Sequence, residues 1–150
     1  MNNGINVNSE IGKLKSVLLH RPGAEVENIT PDTMKQLLFD DIPYLKIAQK
    51  EHDFFAQTLR DNGAETVYIE NLATEVFEKS SETKEEFLSH LLHEAGYRPG
   101  RTYDGLTEYL TSMSTKDMVE KIYAGVRKNE LDIKRTALSD MAGSDAENYF

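Results

Sequence analysis

Cysteine is absent from the 150 residues. A chain without thiols can form no disulfide, offer no thiolate nucleophile and ligate no metal through sulfur. Basic residues are the scarcer sign, 17 Lys and Arg against 26 Asp and Glu, for a formal net charge of −9. That surplus of acid opposes a sequence-independent grip on nucleic acid or on anionic lipid, so neither nucleic acid nor membrane is an expected partner. Long apolar runs are missing too. No stretch approaches the roughly 20 residues needed to span a bilayer, and Met1 to Asn8 lacks the basic start and apolar centre of a signal peptide. The expected location is the cytoplasm. There is also no internal repeat and no low-complexity tract.

What is present reads as strands first and helices later. Ile5, Asn6 and Val7, then Ser16 to His20, are short apolar runs separated by Gly12 and closed by Pro22 and Gly23, the pattern of two strands and a turn. Val17 and Leu19 would share one face and Leu18 the other, so the second strand is expected to be covered on both. Thr30 and Pro31 start a helix, threonine capping its free amides and proline filling the first turn, with Met34, Leu37 and Leu38 inward. Pro43 disfavours helix at Ile42, so that helix should stop near Phe39, leaving Asp40 to cap or bridge to the next one at Tyr44. From Tyr44 to Asn62, Leu45, Ala48, His52, Phe55 and Leu59 recur at helical spacing. Asn62 and Gly63 end that helix, and Glu65 to Ile69 alternates as a strand. Strand, helices, strand predicts a crossover of the βαβ kind.

After Asn71 strand signals vanish. Residues 1–74 therefore read as a first module and residues 75–150 as a helical subdomain with a linker. Phe87, Leu88, Leu91, Leu92 and Ala95 form one stripe ended by Gly96, and Leu106, Tyr109, Leu110 and Met113 form a second. Ser114 to Asp117 resembles a capping box ahead of Met118, Val119, Ile122 and Val126. Periodicity fades beyond Leu131, and residues 139–147 are small, polar and acidic, as in a loop.

Few residues carry a chemical signal. His90 and His93, three apart with Glu94 beside them, lack both the four-residue spacing of a zinc helix and a third ligand. His52 sits on an apolar stripe, as a core histidine does. Asp40 and Asp41 offer a pair of carboxylates for a cationic substrate or for acid and base work, but they lie at a helix boundary, where acids most often cap. Gly12 and Gly23 have no phosphate-loop spacing, and Lys13, Lys15 and Arg21 are too scattered for a basic patch.

The stretch Leu37 to Leu45, together with Ile11 to Lys15, Leu19 to Gly23, and Glu51 and His52, closely resembles the N-terminal segment of bacterial arginine deiminases. The resemblance is strong from Ile5 to about Leu72 and weaker beyond; departures concentrate between Lys79 and Arg101. It implies an α/β fold: the first, incomplete blade of a five-bladed, pentein-like α/β propeller with an inserted helical bundle. It also implies a function, hydrolysis of L-arginine to citrulline and ammonia through a cysteine-bound intermediate, with histidine moving protons and carboxylates holding the guanidinium. No metal or other cofactor is implied. Those catalytic positions belong to later blades, so the resemblance places no catalytic residue in this chain. Leu38, Phe39, Asp40 and Asp41 match the family segment lining the substrate entrance, and are the expected substrate-binding residues. The chain then reads as the N-terminal portion of an arginine deiminase, inactive alone and prone to self-association; the alternative is a non-catalytic interaction or regulatory module on the same fold.

Overall fold

The computed structural model describes residues 7, 9–31, 34 and 37–131. In chain order they form strand β1 (Ser16–Leu19), helices α1 (Ala24–Glu27) and α2 (Leu45–Asp61), strand β2 (Glu65–Tyr68), helices α3 (Ile69–Lys79), α4 (Ser81–Glu94), α5 (Arg101–Thr111) and α6 (Thr115–Ala124), and a single 3-10 turn, Lys128–Glu130. The fold is mixed α/β, mostly helical, around a two-stranded sheet. Ile5 and Asn6 of the expected first strand, and the expected loop at residues 139–147, lie outside the described residues.

β1 and β2 pair in parallel, Ser16 opposite Glu65 and Leu19 opposite Tyr68, as the crossover reading required. Alternation along a strand puts Val17, Leu19, Thr66 and Tyr68 on one face. α2 covers that face: Arg60 donates to the Thr66 hydroxyl at 2.8 Å, and the His52 and Tyr68 rings lie 5.8 Å apart. Leu18 points the other way and is 55% exposed, which corrects the expectation of a strand covered on both sides. A sheet two strands wide has its one helical layer on the Val17 face, and no described element buries Leu18.

α2 also departs from its expected stripe. Leu45, Ala48, His52 and Leu59 are turned inward as read from the sequence, but the fully buried residue between them is Ala56. Phe55 is 52% exposed and Phe54 76%. Four residues after His52 the helix returns to the same face, so position 56 faces the sheet, and the small alanine lets the backbones approach. Asp40 does not cap α2. The N-cap is Tyr44, which supplies only its carbonyl, accepting from Ile47 and Ala48 N–H at 2.9 and 3.0 Å, while Asp41 accepts from the adjacent Ile42 N–H at 2.7 Å.

Helix starts and stops follow their local residues. Met34 N–H reaches the Thr30 carbonyl at 2.8 Å, in keeping with a helix opened by Thr30 and Pro31. Ser80 caps α4 through the Thr83 N–H, and Ser114 caps α6 through the Asp117 N–H at 3.2 Å. Three segments end with a left-handed residue and a hydrogen bond reaching back five positions: Leu38 with Phe39 to Met34, Gly63 with Ala64 to Leu59, and Gly96 with Tyr97 to Leu92. This closure satisfies last-turn carbonyls that would otherwise lack donors. Two of the left-handed positions hold glycine; the third holds Leu38, at φ 59.

The core lies in the helical part. Phe77, Leu88, Leu92, Leu106, Leu110, Met118, Val119 and Val126 form one buried cluster, each large apolar side chain contributing about 1.5–3 kcal/mol by leaving water. Phe87 and Ala95 of the expected α4 stripe stay exposed, Leu91 is half-buried, and the fully buried pair is Leu88 and Leu92, four apart. Ile69, read from the sequence as strand, begins α3, which brings Ile69, Ala73 and Phe77 onto one face and runs across residues 74 and 75. Strand alternation and the first turn of a helix both place apolar Val67 and Ile69 acceptably, so their pattern could not mark the boundary.

α1 is tied to the end of α6. Asn28 donates to the Ala124 carbonyl at 2.5 Å and accepts from the Arg127 guanidinium, across 96 and 99 residues of sequence. Glu130 steadies that corner, accepting from the Arg127 N–H at 3.1 Å and the Tyr109 hydroxyl at 2.8 Å and pairing with Lys121. Burial alone would raise the Glu130 carboxyl, but these donors outweigh it and hold it below the ordinary value. Burial and the Glu130 charge together push the Tyr109 phenol up to about 12.

Three stability outcomes follow from this architecture. Gly63→Ala places a side chain at φ 80 in space that meets only the Lys13 tip at 3.7 Å, so strain alone should cost about 1–2 kcal/mol, whereas Leu38→Gly should gain up to about 1 kcal/mol. Asn28→Ala removes the ties from α1 to Ala124 and Arg127 and should cost about 1–3 kcal/mol. Urea unfolding midpoints check all three, and the two left-handed positions should move in opposite directions.

Candidate functional site

Parallel strands end on the same side, and in open α/β sheets that crevice is where ligands bind. Here the carboxyl ends of β1 and β2 open into a cavity of about 460 Å³ whose lining includes His20, Glu25, Glu70, Lys116, Glu120 and Tyr123. His20 follows β1 by one residue, Glu70 lies in the first turn of α3 and Glu25 in α1. Since Leu19 sits opposite Tyr68, the next residues of both strands are neighbours too.

His20 is the hub. Its Nδ1 meets a Glu70 carboxylate oxygen, its Nε2 lies 3.0 Å from Glu25 Oε1, and its ring stacks on Tyr123 with centroids 4.9 Å apart. Partial burial would lower the imidazole pKa, but hydrogen bonds and charge from both carboxylates overcome it, and the net shift is upward from 6.5. Burial and the Glu70 charge also raise the Tyr123 phenol. Glu25 Oε1 accepts in addition from the Gly23 N–H at 2.5 Å, and the second Glu70 oxygen is buried with no hydrogen-bond partner among the described residues.

At the rim, Arg21 binds Asp53 of α2 through two hydrogen bonds of 2.8 and 2.9 Å, which hold the Asp53 carboxyl below its usual range. Gln49 donates to the Pro22 carbonyl at 2.9 Å, and Lys116 faces Glu120 at 3.7 Å. The arrangement can hold a positive charge between two carboxylates and can store a proton. With no thiol anywhere in the chain it has no strong nucleophile to activate.

The residues singled out from the sequence lie elsewhere. Leu38, 90% exposed, Phe39, Asp40 and Asp41 form an exposed bend, and none of them lines this cavity. His52 is inside, its side chain 12% exposed with Nδ1 3.8 Å from Asp53, and neither ring nitrogen makes a hydrogen bond among the described residues. His90 and His93 are on the exposed side of α4. No cluster of three metal-capable side chains occurs among the described residues. In the sequence His20 stands out only as the end of a strand and part of a matching stretch, and Glu25, Glu70 and Tyr123 carry no local signal. The available signal was the parallel register, which makes residues just past two paired strands adjacent however far apart they are in sequence.

Comparison with known proteins bears on the chain as a whole. The sequence model described as arginine deiminase matches residues 35–150. The arginine deiminase of Lactococcus lactis subsp. cremoris (strain MG1363) is 99% identical over 150 residues, all of this chain and 37% of that relative. Those of Latilactobacillus sakei and Limosilactobacillus reuteri (strain DSM 20016) are 60% identical over 150 residues and 56% over 142, covering 100% and 95% of this chain and 36% and 34% of the relatives. The chain thus spans little more than a third of the curated relatives it matches. Similarity extends well beyond Leu72, which corrects the expectation that it weakens there. Both kinds of match point one way, and the chain belongs to the arginine deiminase family.

Proposed function

We propose that this chain is the N-terminal portion of an arginine deiminase, a hydrolase converting L-arginine and water to L-citrulline and ammonia in the cytoplasm. The observation that carries this reading is 99% identity over the whole chain to a relative of which it spans 37%. On this reading residues 1–74 are the first blade of the α/β propeller and residues 75–150 the inserted helical bundle, with α3 shared between them. The reaction needs a thiolate to attack the guanidinium carbon, a proton donor for the departing ammonia and carboxylates on the remaining nitrogens. A chain without cysteine supplies none of the first step. Its part is to shape the entrance, through Leu38, Phe39, Asp40 and Asp41. Their exposure on a bend fixed by the left-handed Leu38 supports that role, because exposed carboxylates can meet an incoming cation. Among the described residues no helix is long and apolar enough to cross a membrane.

The purified chain should form no citrulline from arginine above a heat-killed control; any turnover would overturn its assignment as a non-catalytic portion. In a full-length arginine deiminase, Asp40→Asn or Asp41→Asn should lower kcat/KM for arginine about tenfold to a hundredfold with unchanged melting, the loss expected when a charged partner is removed. Rates within twofold of the parent would leave both as local structure. The open edges of the sheet and the exposed Leu18, Phe54 and Phe55 support self-association of the isolated chain. Sedimentation should show mass rising with concentration, and a monomer throughout would contradict it.

A further inference from the structure

Three elements converge on one imidazole. Glu25 comes from α1, Glu70 from α3 and Tyr123 from α6, and none is within four residues of His20. An imidazole with a proton on each nitrogen can donate to both carboxylates; with one proton it can donate to only one. We propose that His20 is a proton-dependent clamp that holds α1 against the ends of the strands when doubly protonated and lets the Gly23–Val26 side of the cavity open when it is not.

The direction of opening follows from which carboxylate can better do without a donor. Glu70 is the more enclosed, its side chain 18% exposed against 30% for Glu25, and its second oxygen is already buried without a partner among the described residues. Leaving the first oxygen bare as well would strand a buried charge. Glu25 has the Gly23 N–H as a second donor and can turn toward water. The neutral ring therefore keeps its proton on Nδ1, toward Glu70, and presents the lone pair of Nε2 to Glu25 Oε1. A lone pair facing a carboxylate is repulsive, so Glu25 departs and α1 is freed at its start, while Asn28 still ties its end to Ala124 and Arg127.

Other charged groups around the ring do not supply a substitute. Arg21 is taken up by Asp53, Lys116 faces Glu120, and the Tyr68 hydroxyl interacts with Arg60 at 3.4 Å. His52 lies on α2, its Nδ1 3.8 Å from Asp53. Because the His20 pKa is raised in the folded chain, the clamp's contribution is complete below 6.5, the ordinary imidazole value, and is lost as pH climbs through the raised one. Gly23, Ala24 and Glu25 all line the cavity, so release widens its mouth.

Amide hydrogen exchange of the 150-residue chain, corrected for the intrinsic pH dependence of exchange, tests this. Protection at Val26 and Asn28, whose N–H groups bond Gly23 and Ala24, should fall by about tenfold across that titration while protection within α4 holds. In His20→Gln the fall should vanish. If that variant does not fold, Glu25→Gln serves: the His20 ring, followed by NMR, should titrate at lower pH than in the parent, with the Val26 response reduced. Protection at Val26 that is independent of pH in the parent, or a response unchanged in whichever variant folds, would overturn the proposal.

Discussion

The parallel pairing of β1 with β2 is the constraint on which the rest depends. Parallel neighbours cannot be joined by a tight turn, so the chain between them must cross over, and α1 and α2 occupy that crossover. Both strands then deliver their carboxyl ends to one place. β2 passes into α3 with no intervening loop, which fixes Glu70 beside His20 as firmly as the strands are fixed to each other. The cavity is thus a property of the register. A slip of β2 by one residue would turn Tyr68 to the uncovered face and take the acid away from the imidazole.

The two halves differ in what stabilises them. The helical part has a closed apolar cluster from Phe77 to Val126, whereas the strand part has Ala56 and Ala64 as its buried apolar residues and leans on polar ties. Arg21 with Asp53, Gln49 with Pro22, and Asn28 with Ala124 and Arg127 hold the crossover in place. Polar ties of this kind specify geometry well and add little net stability where they are exposed.

Much of the fold was legible because its signals are local. Glycine at 63 and 96, serine at 114, and Thr30 ahead of Pro31 act within one helical turn, and each sits where its chemistry puts it. Apolar stripes were legible to within one position. Phe55 looked like the inward residue because it is large, but the helix turned Ala56 to the sheet, and pattern reading weights size over phase. Cover over Leu18 could not be read, since it depends on what packs there and not on the strand. The site was the least legible part: His20 and Glu70 are 50 residues apart, and only the pairing of strands brings them together. Asp40 and Asp41 stood out because family likeness was tightest around them, a signal of descent that does not report geometry.

On the proposed reading this chain supplies the entrance and one wall of an enzyme whose nucleophile lies in the remaining polypeptide. Mixing the purified chain with the rest of the Lactococcus lactis relative, expressed separately, measures that directly. The account predicts citrulline formation from arginine in the mixture and none from either part alone. A remainder that hydrolyses arginine equally fast with and without this chain would contradict it.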